Sequence, residues 1–458
     1  MKPQLRSFIF WCTSLILLTT YALLIPPFQF PDEPHHLIRA YQASEGYGRG
    51  VRTENRLGAE VPTSLVAFAD DYRALRFDPS AKNTPELRQR NAERLLRPTE
   101  TTFADIPNTG LYPPTVYLPH LPALWLGRWL EWRPYTLLYA TRIACGIFWL
   151  LGVALILKIL PFARDWYAWL MLLPSSLAVH AGAGGDAVTN LAAGLLLAML
   201  LRLIYHSPRV APRHLWSMAG LTVLIALNRF VYLPVLGLIL LIPAQKWGST
   251  RRRWTHTTIL LAGSLLLLAW KYVTAGDLFV PYDRYHPDFR DGITLNSGVD
   301  PSAQLRWILA HPLSFLKIWI RTLAEGIPSL TAHYFGKFGW GKNYLPFPLV
   351  GFLALGTLYF SLRREGPEVT TRQRLWVLLL TGIMALGLAI TIYMMWSPVG
   401  LDRIRSLGGR YYFAIFPLLF FALKIPRKLP DLRPWCWLGL LLVHAWTLWE
   451  IWVRYYGV

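Results

Sequence analysis

Apolar runs recur from one end of the chain to the other, too long for strands and separated by short polar connectors. They predict eleven membrane spans: 8–25, 136–157, 166–179, 187–205, 215–227, 230–242, 257–272, 347–362, 375–396, 411–423 and 435–452. Several are shorter than the roughly 20 residues a straight helix needs to cross a bilayer. Short runs predict broken or re-entrant helices whose free backbone groups are satisfied inside the protein. The stretch 215–242 turns at Asn228-Arg229, which makes it two short helices. The stretch 112–130 is apolar as well, but Pro113, Pro114, Pro119 and Pro122 crowd its start, so it reads as an interfacial helix. Two long segments do not cross, 27–134 and 274–346. In the second, Asp300-Pro301 reads as a helix start, with an N-cap acid and a first-turn proline. Leu305, Ile308, Phe315 and Ile320, interrupted by Arg306, Lys317 and Arg321, predict helices lying along the membrane surface. No repeat divides the chain. The expected fold is an all-α integral membrane bundle, one domain over 1–458.

Composition supports this reading. A chain that is 54% hydrophobic is rarely soluble at this length, and 21 Trp with 22 Tyr suit interfacial belts. The net charge of +20 sits in connectors rather than on a soluble face. That argues against nucleic acid and for anchoring against anionic lipid. Connector 244–254 holds Lys246, Arg251, Arg252 and Arg253 with no acid. Connector 424–434 holds Lys424, Arg427, Lys428 and Arg433 against Asp431, and 363–374 holds four arginines against Glu365 and Glu368. Such connectors belong in the cytoplasm. The N-terminus then lies there too, as the start of an uncleaved span that lacks a small-residue cleavage site and runs into Pro26-Pro27. Residues 27–110, with 11 Lys/Arg and 12 Asp/Glu, lie outside. Cys12, Cys145 and Cys436 fall in or beside spans and carry no pairing or zinc spacing. No P-loop, dinucleotide fingerprint or nucleophile elbow is present.

The chemistry gathers at the outer mouths of spans. Asp32 and Glu33 follow the first span, boxed by Pro31 and Pro34 and followed by His35 and His36. Ending a helix needs only polarity, so two acids there suggest a placed chemical group, although a helix cap or turn would also use them. Asp186 follows a glycine-rich turn and is either a second acid of the site or the cap of the next helix. Arg410 follows Gly408-Gly409 and either holds a phosphate or snorkels to headgroups. Arg229 and Lys271 read first as structural.

The order of these features resembles the GT-C superfamily of membrane glycosyltransferases. One span leads to an acidic pair, then a long loop ending in Leu111-Tyr112-Pro113-Pro114-Thr115-Val116-Tyr117, then many short spans. The Pro-Pro pair is similar to the Pro-Pro-Leu element of several GT-C families, with Thr115 where Leu is usual. Closer still, Pro31-Asp32-Glu33-Pro34-His35-His36, Gly185-Asp186-Ala187-Val188-Thr189-Asn190, Asp300-Pro301-Ser302-Ala303-Gln304-Leu305 and Gly409-Arg410-Tyr411-Tyr412 resemble a family of large bacterial membrane proteins grouped with those enzymes. The resemblance implies a GT-C-like bundle in a bacterial inner membrane, with its site on the outer face. It implies a sugar donor carried on polyprenyl phosphate and a glycan, lipid or protein acceptor. Asp32 becomes the candidate base, with Glu33 as its partner or replacement. His35, His36, Tyr112, Asp186, Arg410 and Tyr411 become candidate substrate contacts. A divalent cation is compatible with an acidic pair, but no carboxylate-rich spacing demands one. Fold alone does not fix activity. A transporter or flippase of lipid-linked glycans, or a non-catalytic assembly subunit, would share the helices, although a transporter favours internal repeats and charges at the midplane.

Overall fold

The computed structural model describes residues 3–76, 78–292, 296–340, 343–363, 366–423 and 427–457. Arg364, Glu365 and Lys424, all counted in the connectors above, lie outside the described residues. The first helix, Pro3–Leu24, ends where Pro26 and Pro27 can no longer donate to its ladder. Among the described residues, six helices are long and apolar enough to cross a membrane. They are Pro134–Ile159, Asp186–Tyr205, Pro212–Leu241, Thr250–Arg284, Thr371–Trp396 and Arg433–Tyr455, with Phe8–Leu24 and Phe347–Leu362 as shorter apolar helices.

The stretch from Pro212 to Leu241 does not run straight. An α-helix to Arg229 gives way to a 3-10 run, Phe230–Leu241, that contains Pro234. Just outside its two ends, the Val210 N–H donates to the Lys246 carbonyl at 2.8 Å. Both ends therefore meet on one side, as the expected turn at Asn228-Arg229 requires. The expected span 166–179 is two short helices, Arg164–Met171 and Pro174–His180, split where Pro174 cannot continue the first. The expected span 411–423 is a 3-10 turn, Gly409–Tyr412, followed by the short helix Phe416–Ala422. Asp300 caps Pro301–Ala310 as read, accepting from the N–H groups of Ser302 and Ala303 at 2.9 Å each.

The first loop segment holds more than helices. An antiparallel sheet runs β1 (Val51–Thr53), β2 (Arg56–Pro62), β3 (Thr101–Asp105), with Ala59 opposite Ala104. The fold is otherwise helical. Tyr285 fastens this sheet to the second loop segment, its hydroxyl donating to Asp105 at 2.6 Å.

The basic connectors gather at one end of the bundle. Asp165 pairs there with Arg363 at 3.8 Å and Arg433 at 3.3 Å, and the Arg427 N–H donates to the Leu362 carbonyl. The end of Pro3–Leu24, the start of Asp186–Tyr205 and the Gly409–Tyr412 turn meet at the other end, where the acids lie.

Candidate functional site

Asp32 stands one residue before the helix Glu33–Ser44, in the left-handed backbone region at φ 62°. This conformation turns two neighbouring carboxylates into different surroundings. The Asp32 carboxylate accepts from Arg410 Nη2 at 2.5 Å, and both side chains remain part-exposed, 17% and 23%. Burial opposes its charge, but Arg410 and the nearby histidines outweigh that and hold its carboxyl below the usual range. Asp32 and Arg410 both line a cavity of about 510 Å³. His333, Lys337, Trp340 and Tyr411 share that lining, and the rest is mostly apolar and small, including Val179, Gly326, Leu330 and Leu407. Trp340 is fixed by donating to the Phe28 and Phe30 carbonyls at 3.2 and 3.1 Å. Burial, with Arg410 nearby, lowers the Lys337 amine.

Glu33 does not share this cavity. It is fully buried and bonded bidentately by Arg142, Nε to Oε1 at 2.8 Å and Nη2 to Oε2 at 2.6 Å. The Phe28 and Ala183 N–H groups donate to the same carboxylate at 2.9 and 3.0 Å. Arg142 spends its remaining donors on the carbonyls of Ala22, Ile25 and Pro26. With two donors on each oxygen and no access, Glu33 is a structural clasp. This corrects its candidacy as a catalytic residue.

The remaining candidates divide. His36 is buried, with Nδ1 3.1 Å from the Tyr117 hydroxyl and its ring stacked on Tyr112. Burial pushes it down to about 4, so it is neutral at pH 7. His35 bonds Asn108 at 2.8 Å. Neither histidine lines the cavity. Asp186 is not a cap: Gly185 holds that place, and Asp186 pairs with Arg229 at 2.9 Å. Tyr411 joins the two ion pairs, since the guanidinium carbons of Arg410 and Arg229 each lie 5.1 Å from its ring centroid. Lys271 donates to the Leu227 carbonyl, which the helix break leaves free. It serves the helix break, whereas Arg229 pairs with Asp186 and reaches the Tyr411 ring. No group of three His, Cys, Asp or Glu side chains that could hold a metal occurs among the described residues.

Sequence reading missed Lys337, His333 and Trp340, which lie in an amphipathic helix and the loop after it. It also missed Arg142, although a lone arginine within an apolar span was a legible signal of a buried partner.

The chain belongs to the family described as "Predicted membrane protein (DUF2142)", whose family model matches residues 15–419. A comparison with curated proteins gives no match. Among solved structures, the crystal structure of ArnT from Cupriavidus metallidurans bound to undecaprenyl phosphate is similar over 97% of this chain. The identity is 14% and the TM-score 0.38, and the match covers 64% of the ArnT chain.

Proposed function

We propose that this protein is a membrane glycosyltransferase that moves a sugar from a polyprenyl-phosphate-linked donor to a cell-envelope glycan, lipid or protein acceptor. One observation carries the reading: a carboxylate and two cations, Asp32 against Arg410 and Lys337, face a single cavity with apolar walls. A lipid phosphate suits cations set in apolar walls, and a hydroxyl acceptor suits the carboxylate beside them. The basic connectors at the opposite end favour a cytoplasmic location there. The cavity then opens at the outer face of a bacterial inner membrane, with the N-terminus inside.

In this reading the acceptor oxygen forms a bond to the anomeric carbon as the bond from that carbon to the phosphate oxygen breaks. Asp32 takes the acceptor proton, and the departing polyprenyl phosphate carries its charge away against Arg410 and Lys337. The phosphate competes with Asp32 for Arg410 as the donor enters.

The test reconstitutes the full chain in liposomes with polyprenyl-phosphate sugars. Asp32→Asn is expected to lower transfer by about 10²–10⁴-fold while lipid binding persists. Unchanged transfer by that variant removes Asp32 as the base. Lipid flipping without transfer by the wild type replaces the reading with a transporter.

A further inference from the structure

We propose that Asp186, Arg229, Asn228 and Tyr112 form a sugar-ring subsite beside the cavity that holds Arg410 and Lys337 and distinct from it. This rests on the glycosyltransferase reading and adds the group that recognises the donor's sugar.

Four observations carry it. The Asp186–Arg229 pair does not line the cavity that holds Arg410 and Lys337, yet Tyr411 lies beside both arginines. The Asp186 and Arg229 side chains are 10% and 19% exposed, so solvent-borne groups can reach them. Asn228 is more than nine-tenths buried and its Oδ1 accepts from Thr115 at 2.6 Å, but its Nδ2 has no acceptor among the described residues. Tyr112 stands three residues before the Thr115 that bonds Asn228, its ring stacks on His36, and its hydroxyl has no hydrogen-bond partner among the described residues.

The mix of groups fixes the ligand class. Phosphate only accepts hydrogen bonds, and Asp186 would repel it. A sugar ring both donates and accepts, and here it meets a carboxylate acceptor, guanidinium and amide donors, and a phenol that does either. The cluster has no net charge, since Asp186 balances Arg229. The cavity lining carries Arg410 and Lys337 against Asp32 alone. In the donor the sugar is joined directly to the phosphate, so a phosphate at Arg410 leaves its sugar within reach of a cluster that shares Tyr411. Leaving the spare donor of a buried amide unpaired is costly, and a bound hydroxyl repairs it.

The test measures binding to the full chain in nanodiscs. The probes are undecaprenyl phosphate and the same lipid carrying glucose, galactose, mannose, arabinose or N-acetylglucosamine. Tyr112→Phe removes one hydroxyl that bonds nothing in the protein, so folding is retained, and Asp186→Asn tests the carboxylate. Wild type is expected to bind at least one sugar-linked lipid about tenfold or more tighter than the bare lipid, with that preference falling toward unity in both variants and bare-lipid affinity unchanged in Tyr112→Phe. If bare lipid binds and no sugar adds affinity, or if the preference survives both substitutions, the subsite is overturned while the phosphate site stands. If the wild type binds none of these lipids, the glycosyltransferase reading falls and takes the subsite with it.

Discussion

Replacing Glu33 with Gln tests the clasp that positions Asp32. The substitution keeps the side chain's shape and removes its charge. Each Glu33 oxygen accepts two donors, one from Arg142 and one from backbone, Ala183 on Oε1 and Phe28 on Oε2. An amide nitrogen in either place faces two donors and bonds neither. Arg142, which is fully buried, keeps its charge and the carbonyls of Ala22, Ile25 and Pro26 but loses its counter-ion. Removing one partner of a buried pair costs about 3–5 kcal/mol, because a charge is left uncompensated away from water. The loss extends to Asp32, whose left-handed backbone is held from the next residue and costs about 1–2 kcal/mol by itself. Arg142→Lys is expected to fail as well, since three donors on a flexible stem cannot replace a five-donor fork. The assay is equilibrium unfolding in detergent micelles followed by tryptophan fluorescence, with sugar transfer measured on the same samples. A Glu33→Gln protein within 1 kcal/mol of wild type, with full transfer, refutes the clasp.

Two further outcomes follow from the same region. Burial pushes His36 down to about 4 and His120 down to about 3, against about 6.5 when unfolded, so between those values the unfolded chain binds more protons. Stability is therefore expected to fall as pH drops from about 6.5 to 4, by roughly 3 kcal/mol at most from His36, and a melting temperature that stays flat across that range contradicts it. Gly409 packs on the backbone of the helix Pro312–Gly336, where an added Cβ would sit 2.5 Å from the Tyr334 nitrogen and 2.7 Å from the His333 carbonyl carbon. Gly409→Ala is expected to cost about 1–3 kcal/mol and to displace Arg410, while Gly408→Ala, whose nearest contact is Tyr411 at 3.8 Å, is expected to stay near wild type in melting and transfer.

The helical bundle was legible because burial in a membrane leaves long apolar runs that no other fold needs. One break was legible too: the Asn228-Arg229 step ended a helix where sequence placed the interruption, whereas the split at Pro174 fell inside a run drawn as one span. The sheet was not. β1 has three residues, all exposed, and β2 carries Gly58 and ends at Pro62, so neither shows a strand's alternation. Its partner β3 begins 39 positions after β2 ends, so the pairing is a tertiary fact. Asp32, Asp186 and Arg410 stood out as charges at span mouths. Which charge meets which depends on the fold, and this is why Glu33 looked equivalent to Asp32.

The two adjacent acids differ in what their arginines leave unmade. Around Glu33 and Arg142 every carboxylate oxygen and every guanidinium donor is used, so any exchange of partner there exposes a buried charge. Asp32 and Arg410 share one contact. Asp32 Oδ1 and Arg410 Nε and Nη1 have no partner among the described residues, and both side chains reach a water-accessible cavity. A pair that is half made can exchange its partner for a ligand at small cost, and a saturated pair cannot. The clasp therefore supplies the rigid backbone from which Asp32 projects, and the incomplete pair supplies groups that a substrate can recruit. What separates the two carboxylates at this turn is that incompleteness, since their chemistry is otherwise the same.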